Sequence, residues 1–424
     1  MNHGDAGSAI HPLTALRDLL GGHPLFAIGI LLFVGFLLAK LAARLRLPEI
    51  TGFIVAGILM GETVTGIIPR TMSGELSLVT EIALGLIALT VGAEFYAAKL
   101  KRHGRGIVVI AIVQSVFTLV IVTASLTLVG LGVVYAVLLA SIAGATAPAA
   151  TVAIVQAARA RGPFVDHLYG LVALDDAVSL GVFAVAFTVV VAWFAGRAGA
   201  PGGGLWPAVA VTVAYQLAAS VAIGLAGGWV IHRLARGRSS SHESLITTVG
   251  VVFLTTAIAF VFDLNVLITN LVAGALLINL SAQNHRVFRF LEPFTPPIFA
   301  LFFVLAGTEF QPGLLTPHLI VIAAVYVAAR AVAKVTGVYV GCRAVGLASP
   351  IRRNLGFCML PHAGVAIGMA LLLVAAPATQ SLAAPERELF LALTNVVLVS
   401  VFVYELIGPF VARRGLLRGV GGEV

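Results

Sequence analysis

Long uninterrupted runs of Leu, Val, Ala, Ile, Gly and Phe, separated by short polar connections, organise this chain. A helix that crosses a bilayer needs about 20 consecutive apolar residues. Thirteen stretches approach or meet that length, near 24–43, 50–68, 77–98, 106–129, 132–157, 167–194, 207–232, 244–262, 265–282, 293–311, 317–341, 354–375 and 388–411. They predict an all-α polytopic membrane protein of about 13 transmembrane helices. The runs are continuous rather than alternating, which argues against a transmembrane β-barrel. Residues 1–23 are mixed in polarity and are expected to be a short extramembrane segment. Residues 24–411 form the transmembrane part, and 412–424 a basic cytoplasmic tail.

Two stretches are interrupted near their middle. The fifth carries Thr146-Ala147-Pro148-Ala-Ala-Thr151, and the twelfth carries Leu-Pro361-His362-Ala-Gly364. Pro148 has no N–H for the carbonyl of Gly144 and clashes with it, so the helix must kink or unwind there. Interrupted spans at corresponding places in two halves are the sequence sign of a transporter binding site. With 207–232 as connector, residues 24–194 and 244–411 make two six-helix halves, and the fifth of each is broken. Six is even and the connector crosses once, so the second half enters the membrane from the opposite side. The expectation is two inverted six-helix repeats with two broken helices. Two unrelated proline kinks are the plainer alternative.

The basic residues orient the chain. Twenty of the 26 lysines and arginines fall in alternate connections and the tail, among them Lys40, Arg44, Arg102, Arg159, Arg233, Arg286, Arg343 and Arg413. The opposite connections hold only Arg17, Arg70, Arg197 and Arg387. Cytoplasmic loops carry the excess of positive charge, which puts the N-terminus outside and the C-terminus in the cytoplasm.

The remaining two, Arg330 and Lys334, lie inside the eleventh stretch, four residues apart and so on one helix face. A buried cation needs a partner or must snorkel to the interface. The partners on offer are Asp175 and Asp176, adjacent acids in the middle of the sixth stretch. An ionisable residue at that depth is costly and marks a functional site by default. Neighbouring helical positions diverge by about 100°, so one acid can face a buried cation while the other faces water or an ion. Glu94 and Glu309 sit toward stretch ends and are expected at the interface, whereas Glu81 and Glu405 serve packing or gating. Thr146, Thr151 and the carbonyls of the first break are hard oxygen donors for a small cation, although each hydroxyl also suits a bond within its own helix. Gln114, Ser179, Gln216 and Asn270 read as interhelical hydrogen bonds. His362 stands apart because it sits in the second break, where its ordinary pKa near 6.5 makes it a candidate pH-sensitive element.

Composition narrows the class further. Of 424 residues, 60% are hydrophobic and 10% charged, with mean hydropathy +1.06. No soluble domain has this balance. The net charge of +8 reflects the connections rather than a nucleic-acid surface. Cys342 and Cys358 offer neither a disulfide framework nor metal-ligand spacing. The first apolar run is followed by Lys40 and Arg44, not by a small-residue cleavage site, so no cleaved signal peptide is expected. No phosphate loop, catalytic triad or metal cluster points to an enzyme.

The Asp-Asp pair, the Thr-Ala-Pro-Ala-Ala-Thr break, Lys334-x-x-Gly337 and the Leu-Pro-His-Ala-Gly-Val-Ala break resemble the cation/proton antiporter superfamily, within it the two-aspartate sodium/proton exchanger branch. Leu47-Pro48-Glu49-Ile-Thr-Gly52 and Val91-Gly92-Ala-Glu94 resemble its second and third helices, and the likeness covers essentially the whole chain. The resemblance implies that the broken helices cross beside the Asp pair. It assigns Asp176 as the carboxylate that binds Na⁺ and protons, Asp175 as its neighbour paired to a lysine, and Lys334 as that lysine; Arg330 is an additional basic residue. It further implies exchange of Na⁺ or Li⁺ for H⁺ by alternating access, electrogenic, with no cofactor, by a homodimer in a bacterial inner membrane. A K⁺/H⁺ antiporter of the same fold is the alternative. A cation channel is a rival from another class, but channels place charges in symmetric rings, unlike one buried pair facing a lysine.

Overall fold

The computed structural model describes residues 23–45, 47–68, 76–199, 205–235, 240–362, 364–380 and 382–420. The extramembrane segment expected over 1–23 lies almost wholly outside the described residues, as do Arg17, Arg46, Arg70, Arg236 and Arg238 of the charge count. Among the described residues the chain is helical throughout, with no strand. That is the expected outcome for apolar sequence in lipid, where a helix satisfies its own backbone.

The helices are α1 (Pro24–Arg44), α2 (Glu49–Met60), α3 (Ser77–Gly92), α4 (Ala97–Leu128), α5 (Val133–Ile142), α6 (Pro148–Ala157), α7 (Pro163–Gly199), α8 (Leu205–Ala235), α9 (Ser241–Val261) and α10 (Val266–Leu280). They continue with α11 (His285–Leu291), α12 (Thr295–Thr308), α13 (Pro317–Ala344), α14 (Ser349–Asn354), α15 (Gly364–Ala375), α16 (Pro377–Gln380) and α17 (Ala384–Val420). Starts follow local chemistry: Ser240 and Glu243 form a capping box on α9, Asn265 caps α10, and Thr316 caps α13 ahead of Pro317.

Each of the thirteen apolar stretches falls on one of these helices or on a pair flanking a break. Eight helices are long and apolar enough to cross a membrane, and two bent pairs raise the number to ten. The count of thirteen is therefore not established by length. The difference lies in α2, α5 and α10, which have 12, 10 and 15 residues, short of the roughly 20 that a straight crossing takes. The fifth stretch is two ten-residue helices, α5 and α6, and the twelfth bends by 44° between Met359 and Gly364.

The described chain divides into two compact units. One comprises residues up to Thr80 together with Phe299–Phe310; the other comprises Glu81–Ile298 and Gln311–Val424. In the smaller unit α1 and α2 pack with the end of α12 around Leu31, Met60, Val304 and Leu305. The larger unit holds every residue of the Asp pair, the two breaks and the basic pair.

Within the larger unit α13 lies directly against α4. A Cβ on Gly337 would sit 2.9 Å from the Gln114 Cα, and one on Gly341 would sit 2.9 Å from the Ile110 Cα. Small residues four apart let two membrane helices approach backbone to backbone. One turn from Gly337 on the same helix is Lys334, so this contact brings Lys334 beside Gln114. Gly337→Val should force α4 and α13 apart, overpacking that costs about 1–3 kcal/mol. The melting midpoint in detergent, followed by size-exclusion fluorescence, should fall. Gly250→Ala, where an added Cβ meets nothing within 4 Å, should not lower it. Equal midpoints for Gly337→Val and the unaltered chain would contradict the close packing.

Candidate ion-binding site

The site begins with backbone that helix geometry cannot satisfy. Because Pro148 has no N–H, α5 ends at Ile142 and α6 begins at Pro148, leaving the carbonyls of 143–145 without helical donors. All three are taken by the basic pair of α13. Arg330 donates Nε to Ala143 O at 3.0 Å and Nη2 to Ala145 O at 2.6 Å, and Lys334 Nζ donates to Gly144 O. The second break is treated the same way. Arg330 Nη1 reaches Leu360 O at 2.8 Å, the Ala147 N–H donates to Pro361 O at 3.0 Å, and the Thr146 hydroxyl lies 3.3 Å from Met359 O. The two breaks therefore meet at a direct main-chain hydrogen bond. One guanidinium binds both of them, its five donors arranged in a planar fork suited to several acceptors at once. Tyr404 of α17 stacks on that guanidinium with Cζ 4.4 Å from the ring centroid, and its hydroxyl donates to Val327 O at 2.6 Å.

Asp175 and Asp176 approach this crossing from α7. Asp175 is wholly buried, and its Oδ2 lies 2.6 Å from Lys334 Nζ, an ion pair with both side chains fully buried. It also accepts from Gln114 Nε2 and from the Thr146 hydroxyl. Asp176, 4% exposed, accepts the Thr146 main-chain N–H on Oδ1 at 3.1 Å. Its carboxylate thus stands just ahead of the amino end of α6, where a helix favours negative charge. Lys334 Nζ donates to Thr146 Oγ1 at 2.9 Å. Thr146 consequently links both acids and the lysine. The four ionisable groups balance in formal charge when both aspartates are ionised. Asp175 has three donors in place, whereas Asp176 is held by a single backbone N–H and keeps oxygen lone pairs available for a cation or a proton.

Among the described residues singled out in the sequence, Ser179 departs from expectation: it is buried and its hydroxyl has no hydrogen-bond partner among them, so it forms no interhelical bond. Arg330 and Lys334 are both fully buried, so neither snorkels; Lys334 meets Asp175, while Arg330 meets carbonyls. The Thr151 hydroxyl lies 3.3 Å from Ala147 O and 3.4 Å from Cys358 O, tying the breaks together rather than facing the acids. Ala147 supplies the N–H for the crossing bond, and Pro361 its acceptor. Gly364 starts α15. His362 is fully buried with its ring edge-on to Tyr404, centroids 6.0 Å apart. Glu405 is buried in α17, whereas Glu81, Glu94 and Glu309 are half-buried. Asn270 bonds Thr255 and Thr256, and Gln216 bonds Asp263 O. Gln114, read as an interhelical bond, proves to be a donor to Asp175. Tyr404 was not singled out; a tyrosine next to a glutamate inside an apolar run was the available signal.

The sodium/hydrogen exchanger transmembrane family matches residues 28–413. The chain belongs to that family. Members are transporters rather than enzymes, and this one is a multi-span membrane protein of the cation/proton antiporter class. Among curated proteins it is similar to the ammonium/H(+) antiporter subunit AmhT of Alkalihalophilus pseudofirmus, 22% identical over 341 residues, covering 79% of this chain and 83% of that one. Among solved structures it resembles the sodium proton antiporter MjNhaP1 from Methanocaldococcus jannaschii at pH 8. The TM-score is 0.70 at 16% identity, covering 94% of this chain and 99% of that one. An electron-microscopy structure of the same antiporter gives a TM-score of 0.65, covering 92% and 97%. At such identities the structural likeness speaks for the fold of the exchanger, not for its substrate.

Arg330→Lys should keep the charge yet lose the fork, leaving carbonyls of the breaks without donors at roughly 1–3 kcal/mol each. Amide exchange over 142–147 and 358–366 should then accelerate at least tenfold while that of α8 stays unchanged. Unaltered protection at the breaks would show that Arg330 does not hold them.

Proposed function

We propose that this exchanger moves a monovalent cation, Na⁺ or Li⁺, against protons, with both competing for Asp176. The observation that carries the reading is the pairing of Asp175 with Lys334 beside a neighbouring acid held by one backbone N–H, at the meeting of two broken helices. Protonation of Asp176 removes the charge that holds a cation, and cation binding displaces the proton. Thr146 Oγ1 and carbonyls of the breaks supply further oxygens. The reading needs no cofactor beyond the transported Na⁺ and H⁺. Alternating access would move the unit bearing the crossing so that Asp176 faces each side in turn, in a protein of two inverted repeats. We place it, by its resemblance to two-aspartate exchangers, as a homodimer in a bacterial inner membrane; the basic connections put the N-terminus outside and the C-terminus in the cytoplasm.

Ammonium is a second reading, favoured by the name of the curated relative; K⁺ is a third. All four cations are met by the same carboxylate and carbonyl oxygens, so substrate choice is an experimental matter. Asp176→Asn is isosteric and should abolish cation-dependent proton flux in proteoliposomes while the protein still reaches the membrane. Flux tested with Na⁺, Li⁺, K⁺ and ammonium in turn identifies the substrate. Undiminished flux in Asp176→Asn would refute the assignment.

The pair also bears on stoichiometry. One cation replacing one proton on Asp176 leaves the charge of the site unchanged. If cation binding draws Asp175 into the site, Lys334 loses its partner and can release a second proton. Two protons then exchange for one cation, and each net charge moved is worth about 2.3 kcal/mol per 100 mV. Flux under a potassium–valinomycin clamp should quicken at inside-negative potential when cation leaves the lumen. Lys334→Gln should abolish either that voltage dependence or transport itself, whereas Arg330→Ala should leave the dependence in whatever activity remains. A rate independent of potential in the unaltered chain excludes the two-proton cycle.

A further inference from the structure

A second feature of the larger unit breaks two local rules at one residue. Helix α9 ends with the Leu264 N–H bonded to Ala259 O at 2.7 Å, the terminal hydrogen bond of a Schellman cap. The position inside such a cap takes a left-handed backbone and is usually glycine. Here it is Asp263, at φ +50°, one of two non-glycine residues with positive φ among those described. An aspartate tolerates that conformation better than most residues but still at a cost. Its carboxylate is also placed against the negative end of the α9 dipole, where a cation is the favoured neighbour. Gln216 of α8 fixes the residue by donating Nε2 to its carbonyl at 2.9 Å. Strain that the surroundings hold in place is a reason to look for function.

Asp263 is exposed and lines a pocket together with Phe187, Gln216, Phe260, Asn265 and Leu372. Among the described residues lining that pocket none is basic, and Asp263 carries its only formal charge. Asn265 is committed to structure, its side chain donating to Ala184 O and Thr188 Oγ1 and capping α10. The remaining walls are mainly apolar. A lone carboxylate over low-dielectric walls concentrates its field in the pocket. Phe187 follows Asp176 by eleven residues on the same helix, about 17 Å along it.

We propose that the Asp263 pocket is a cation-collecting vestibule. It would raise the local concentration of the monovalent cation at the membrane face where α9 ends, ahead of its passage to Asp176. That role in transport rests on the cation site proposed above, whereas the attraction itself does not. Phe260→Cys provides a partly exposed thiol on the pocket wall, and the unaltered chain, whose two cysteines are buried, supplies the blank. A trimethylammonium methanethiosulfonate should modify that thiol roughly five times faster than its sulfonate counterpart, after correction for their rates with free mercaptoethanol. Asp263→Asn, or Asp263→Gly if the first folds poorly, should bring the ratio near one, as should about 0.5 M choline chloride by screening. In flux, Asp263→Asn should raise KM for cation supplied at that face two- to threefold with kcat unchanged. A reagent ratio that Asp263→Asn leaves unaltered overturns the vestibule whatever the transport result. A ratio that collapses in a protein that exchanges no cation upholds the pocket and refutes the proposed exchange instead.

Discussion

The constraint on which the larger unit depends is the capping of main-chain carbonyls at mid-chain breaks. Where the helices break at 143–147 and 360–362, carbonyls at 143–145 and 358–361 lack intrahelical donors at buried positions, where an unpaired polar group is costly. Arg330, Lys334, Thr151 and the Ala147 N–H provide the substitutes. Each broken helix is thereby completed by the other and by α13. Two buried cations are in turn tolerable only because the carbonyls and Asp175 surround them; removing one partner of such a buried pair costs about 3–5 kcal/mol.

This arrangement assigns different tasks to residues that look alike in one dimension. Arg330 and Lys334 share a helix face, yet the planar fork spans three carbonyls and stacks on Tyr404, while the compact ammonium fits between Gly144 O, Thr146 Oγ1 and Asp175. The two aspartates differ in the same sense. Asp175 is saturated with donors, whereas Asp176 has one. An acid already compensated is a poor place to exchange ions, and a sparsely compensated one is a good place. The glycines of α13 make this possible from a distance, since only a backbone-to-backbone approach of α4 and α13 puts Gln114 and Lys334 within reach of the same carboxylate.

Much of this was legible in the chain itself. The all-helical membrane class follows from continuous apolar runs, because in lipid the backbone leaves few alternatives. Both breaks follow from proline chemistry, which acts over four residues. The cost of an ionisable group in hydrocarbon marked Asp175, Asp176, Arg330 and Lys334 without reference to any contact. The number of crossings was less legible: α2, α5 and α10 are shorter than the apolar runs that contain them. Apolarity marks what the bilayer and the core accept, not where a helix stops.

Partner choice was decided only by the tertiary structure. Lys334 meets Asp175 across 159 residues, and Arg330 meets the first break across 185 to 187. Nothing local in the sequence says which of two cations four residues apart faces the acids, since that depends on the rotation of α13 set by Gly337 and Gly341 against α4. The task of Tyr404, the choice of Asp175 as the partner of Gln114 and the approach of Thr151 to Cys358 O were likewise beyond one dimension. The sequence by itself determined which groups had to find partners, because burial penalises each one separately. The packing determined who those partners are, because hydrogen bonds of about 3 Å select among helices that the chain alone leaves free to rotate.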